Sequence, residues 1–147
     1  MERERQRLQQ VLAQLDSYRG LTGILRDQIS GMSAAMNEIT MTLATIDTIK
    51  DMKKEADIMV PIGSDSFVHA KLPISAKLVA GIGAEVVVER TAEEAILALK
   101  AKAADIENAL KETVAEIEQL EKKAEALRPE AEELLEKLKK GQKPGPG

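Results

Sequence analysis

The chain has 147 residues, 31% of them charged and 1% aromatic, with a formal net charge of −4 at pH 7. So few aromatic side chains argue against an ordinary compact core and predict an elongated molecule. The absence of cysteine excludes a disulfide framework, a thiolate zinc site and cysteine catalysis. The acidic balance leaves no basic stripe to release counterions from a phosphate backbone, so a nucleic-acid partner is not expected. No run of about 18 apolar residues could span a membrane, and the charged opening Met1-Glu2-Arg3-Glu4-Arg5 carries no apolar signal core. A soluble, cytoplasmic protein is the expectation.

From Leu8 to Ile46 an apolar position recurs at alternating steps of three and four: Leu8, Val11, Leu15, Tyr18, Thr22, Leu25, Ile29, Met32, Met36, Ile39, Leu43, Ile46. A sustained 3.5-residue repeat is what lets two helices supercoil, because a straight 3.6-residue helix rotates its stripe away from the partner. The first helix is predicted to run from about Glu2 to about Lys54 without proline. Gly20, Gly23 and Gly31 make it bendable there.

Near Asp57 the period changes to about two, and β-branched residues cluster in four runs: Ile58 to Ile62, Ser66 to Leu72, Lys77 to Ala80, and Ala84 to Glu89. Gly63-Ser64-Asp65 reads as one hairpin loop and Gly81-Ile82-Gly83 as the source of positive φ for a second, with Pro73 between them. Two such hairpins are too small to be stable alone. The second helix opens at Thr91-Ala92-Glu93-Glu94, a capping box, and closes at Lys139-Lys140-Gly141. Its seam is Ile96, Leu99, Ala103, Ile106, Leu110, Thr113, Ile117, Leu120, Ala124, Leu127, Ala131, Leu134, Leu138. Pro129 predicts a kink or a restart.

The expected architecture is α+β: a long antiparallel two-helix coiled coil with two β-hairpins between the helices. The expected organisation is residues 1–56 for the first helix, 57–90 for a double-hairpin assembly head, 91–140 for the second helix and 141–147 for a disordered tail. In the head, Ile62, Phe67, Val68, Leu72, Leu78, Val79, Ile82, Val86 and Val88 supply more apolar surface than two hairpins can cover. Exposed strand edges invite pairing with other chains, so oligomerisation through this segment is predicted.

Three blocks between the heptad arms carry a family resemblance: Val60-Pro61-Ile62-Gly63, Ser66-Phe67-Val68-His69-Ala70-Lys71-Leu72, and Val79-Ala80-Gly81-Ile82-Gly83-Ala84-Glu85-Val86-Val87-Val88-Glu89. Together with Leu127-Arg128-Pro129-Glu130-Ala131-Glu132-Glu133-Leu134-Leu135 they resemble the alpha class of archaeal prefoldin subunits, over nearly the whole chain. Two hairpins rather than one mark the alpha class. The resemblance implies an ATP-independent chaperone in which two alpha and four beta subunits join through their hairpins into an alpha2beta4 hexamer. Its coiled-coil tips would hold non-native polypeptides and pass them to a group II chaperonin, with no cofactor and no enzymatic step.

The residues lead to a compatible role by a separate route, since binding many non-native chains calls for exposed and adaptable apolar surface. Leu12 and Leu135 fall one position past their seams, and Leu8, Val11, Leu15, Leu127, Leu134 and Leu138 sit where an antiparallel pair would fray. Packing within the coiled coil is the plain alternative for all eight. A filament-forming scaffold of the prefoldin-like type stays open beside the chaperone subunit, while a nucleotide-exchange cochaperone would place its β domain after the helices. His69, the one histidine, lacks a serine and acid at triad spacing. Glu132-Glu133 reads as a solvated helix face, and Gly81-Ile82-Gly83-Ala84 precedes a strand and so is no dinucleotide fingerprint. Met32 and Met36 are seam positions, and Met41 is the one methionine of that group off the seam.

Overall fold

The computed structural model describes residues 1–142. Helix α1 spans Glu2–Lys50 and helix α2 spans Ala92–Gln142, and between them in the chain lie β1 (Ala56–Gly63), β2 (Ser66–Leu72), β3 (Leu78–Gly83) and β4 (Val86–Arg90). Among the described residues β1 pairs only with β2 and β3 only with β4, both antiparallel, giving two separate two-stranded sheets. Among the described residues two compact units emerge: residues 1–33 with 108–142, and residues 34–107.

In the first unit the two helix segments run antiparallel, because Arg7 meets Glu130 while Arg26, further along α1, meets Glu121, further back along α2. Leu8, Val11, Ala131 and Leu134 form its buried cluster, with Leu15, Leu127 and Leu138 packed against it. In the second unit the helix segments bury Ile39, Ile46 and Ala95. Among the described residues every buried side chain except Ala95 lies on the predicted seam, Thr22 and Thr113 included. The seam is therefore the core, as a 3.5-residue repeat requires.

Local chemistry explains the helix limits. Thr91 caps α2: its hydroxyl accepts from the Glu94 amide at 3.2 Å, which is half of the capping box. The threonines at 40, 42, 45 and 48 donate to the carbonyls four residues back, so their hydroxyls are satisfied inside the helix. Helix α1 ends at Lys50, four residues before the expected Lys54, and β1 starts at Ala56, two before the expected Ile58. The pairs Ala56 with Leu72 and Asp57 with Lys71 extend the first hairpin by matching apolar with apolar and opposite charges across the strands. Helix α2 is uninterrupted at Pro129, which is exposed, so the carbonyl it leaves without a helical donor faces solvent rather than a core. The helix also continues past the expected stop at Lys140 to Gln142. The remaining tail, 143–147, lies outside the described residues.

The second hairpin turns two residues later than predicted. Its left-handed positions are Gly83, Ala84 and Glu85, with φ of 107°, 50° and 61°, and Gly81 instead pairs with Val87 inside the ladder. Strand β3 thus reaches Gly83 rather than Ala80, and β4 opens at Val86 rather than Ala84. The first hairpin has the same form, with Gly63, Ser64 and Asp65 at φ of 113°, 45° and 56°. In each, a two-residue turn with both φ values positive has the twist that matches paired strands. An isoleucine, Ile62 or Ile82, stands in the register shift just before the glycine. The two hairpins are copies of one design offset by 20 residues, from Gly63 to Gly83.

Candidate functional site

Cross-strand pairing sorts the strand residues into faces. Ala56, Ile58 and Val60 share one face with Leu72, Ala70 and Val68, while Met59 and Pro61 share the other with His69 and Phe67. At the open end of the first face Ala56, Ile58, Ala70 and Leu72 are half-buried; towards the turn Val60 and Val68 are exposed, and the second face is exposed throughout. In the second hairpin Leu78, Ala80, Val88 and Arg90 are half-buried. Leu78 and Ala80 line an opening of about 480 Å³ with Ile46, Ile49, Ala95 and Leu99.

Of the nine strand residues singled out from the sequence, Ile62 (68% exposed), Phe67, Val68, Val79 (67% exposed), Ile82 and Val86 are open to solvent. Leu72, Leu78 and Val88 are not; they are half-buried because they point inward at the open ends of their hairpins. Sequence reasoning passed over Met59, Val60, Ile74 and Val87, all exposed. The last is recognisable only once Val87 is paired with Gly81, because a strand's face depends on its register. Each sheet has two strands, so every strand also presents one unpaired edge.

At the end of the first unit six of the eight leucine and valine candidates follow the packing alternative. Val11 is 0% exposed, and Leu8, Ala131 and Leu134 are buried around it. Leu15, Leu127 and Leu138 are half-buried against that cluster, and only Leu12 and Leu135 of the eight are exposed. Arg7 helps to close this end: its Nε donates to one Glu130 oxygen at 2.6 Å and its Nη2 to the other at 3.1 Å. That two-pronged contact lowers the Glu130 pKa from the ordinary carboxylate range and raises that of Arg7. Arg26 Nη2 donates to Glu121 at 2.8 Å on the opposite flank.

Among the described residues no three His, Asp or Glu side chains converge to hold a metal, and no helix is long and apolar enough to cross a membrane. The molecule's distinctive chemistry is its uncovered apolar strands beside a two-helix seam. The family model for prefoldin subunits matches residues 18–137. The chain belongs to the prefoldin subunit family. Curated relatives include prefoldin subunit alpha 1 of Methanocaldococcus jannaschii, 28% identical over 142 residues and 97% of each chain. Prefoldin subunit alpha of Nitrosopumilus maritimus is 32% identical over 107 residues, 71% of this chain and 74% of the relative.

Two solved prefoldin structures share the fold. A filamentous PFD from Methanocaldococcus jannaschii superposes with a TM-score of 0.69 at 24% identity, over 80% of this chain and 98% of the other. The prefoldin beta subunit from Thermococcus strain KS-1 gives 0.55 at 18% identity, over 86% and 90%. The fold of this chain, two long helices with two small antiparallel hairpins between them, is therefore the prefoldin fold.

Proposed function

We propose that this prefoldin chain is an alpha-class chaperone subunit that assembles through its two hairpins and holds non-native polypeptides without a cofactor or a chemical step. The observation that carries the reading is the state of the four strands. Two isolated two-stranded sheets expose isoleucine, phenylalanine and valine along both hairpins, and such sheets need further strands or packing to be stable. Beta-class subunits are the proposed partners, in an alpha2beta4 hexamer, and a group II chaperonin in the cytoplasm is the proposed recipient of clients. The alpha-class relatives support the first choice, since they match along most of their length.

Client contact is assigned to Leu12 and Leu135, the two exposed leucines at the closed end of the first unit. Replacing both with serine should weaken suppression of aggregation of a chemically unfolded protein, with assembly unchanged by size-exclusion chromatography. Full retention of suppression would remove the assignment, and loss of assembly would make these leucines structural.

A further inference from the structure

The seam that is closed around Val11 loosens further along the same unit. Where Thr22 and Gly23 of α1 face Ala124 of α2, small side chains leave space on one flank, an opening of about 510 Å³ that also reaches Arg19, Glu121, Glu125 and Arg128. On the other flank lies a second opening of about 380 Å³, walled by Leu21, Ile24, Leu25 and Leu120. Leu21 and Ile24 are off the seam and stand 49% and 57% exposed, more than Leu12 or Leu135.

We infer that this second flank is a further client-binding surface, resting on the chaperone reading above: a groove in the arm that takes one or two aliphatic or aromatic side chains of an extended, uncharged stretch of non-native polypeptide. The rim decides the chemistry. Glu116 and Lys123 carry opposite charges and cancel, so a charged segment finds no excess of either sign. Gln28 and Gln119 are the remaining polar groups, and each amide offers both a donor and an acceptor, which suits the peptide main chain of an extended segment. The other flank, with three arginines and two glutamates, lacks that neutrality. A second copy of the chain is a poor fit, because two exposed aliphatic side chains are a small part of the roughly 800 Å² per partner that a stable interface buries. Shallow, weak binding is what a chaperone that must release its clients requires.

The chain has no cysteine, so a single one can carry a probe. Ile24→Cys labelled with benzophenone maleimide should cross-link to reduced and alkylated lysozyme under ultraviolet light, while Met41→Cys, more exposed at 71% but outside the lining of this groove, should not. Leu21→Ser with Ile24→Ser should weaken binding of the same lysozyme by about tenfold, because two partly buried aliphatic contacts are lost. All three variants alter exposed positions, and circular dichroism with size-exclusion chromatography confirms fold and assembly. Undiminished binding by the double variant, or cross-linking no stronger from position 24 than from 41, overturns this groove alone. Failure of the unaltered chain, by itself and mixed with a beta-class subunit, to bind unfolded lysozyme overturns the chaperone reading and the groove with it.

Discussion

Val11→Ala gives the sharpest test of how the arm end is held. Val11 is 0% exposed and sits among Leu8, Ala131 and Leu134. The substitution removes two carbons, at about 0.8 kcal/mol each for transfer from water. A cavity left by neighbours that do not collapse adds about 1 kcal/mol, so a loss of about 1.5 to 3 kcal/mol is expected, the lower figure applying if the nearby helix ends relax. Leu12→Ala, one residue along and exposed, should cost less than about 1 kcal/mol although it deletes more atoms. Because the chain has two compact units, hydrogen exchange of amides in residues 5–20 and 125–138 reads the relevant opening better than a global melt. Protection should fall sharply in the first variant and hardly at all in the second. Equal effects would mean that the end is frayed and that the packed cluster does not hold it.

Three further outcomes follow from particular residues. Val79→Asp places a charge at an exposed strand position proposed to be buried on assembly, so complexes with beta-class subunits should be lost by size-exclusion chromatography while the arm's helix content is kept; intact complexes would displace the interface. The Glu130 pKa is lowered in the folded chain, so its contribution to stability is present above the ordinary carboxylate range and disappears as pH falls through the lowered folded value; Arg7, raised, adds no change on the acid side. Acid titration of exchange protection at the arm end should therefore differ between the unaltered chain and Glu130→Gln near neutrality and converge at low pH, and a gap that persists in acid would contradict this. Ala84→Asn with Glu85→Gly fits the left-handed turn better than the native pair, and should raise the melting temperature of the hairpin unit, worth about 1 kcal/mol; no change would mean that the φ values of 50° and 61° cost little.

The seam was legible because a 3.5-residue repeat constrains every turn of both helices, and nearly all buried residues fall on it. Hairpin number was legible too, but the second turn only in part: the sequence logic sought positive φ at Gly81 to Gly83, and Gly83 has it, but the two turn residues are Ala84 and Glu85 and Gly81 stays in the ladder. Strand register decided that point, and register is a property of two strands together. Packing across helices was hidden for the same reason. Nothing along α1 alone says that Thr22 will face Ala124 and leave a groove, or that Leu8 and Val11 will be sealed by Ala131 and Leu134. Leu21 and Ile24 could have been found as off-seam apolar residues, but they lie one position before seam residues Thr22 and Leu25, whereas only positions one past the seam, Leu12 and Leu135, were singled out.

The central claim is that the uncovered strands complete themselves with beta-class prefoldin subunits. Mass by light scattering, for the purified chain alone and after mixing with such a subunit, tests it most directly. A low-order species that converts to a discrete hexamer on mixing is the expected result. Large polydisperse assemblies from the chain alone, unchanged by the beta-class subunit, would contradict it and make the chain a self-sufficient filament former.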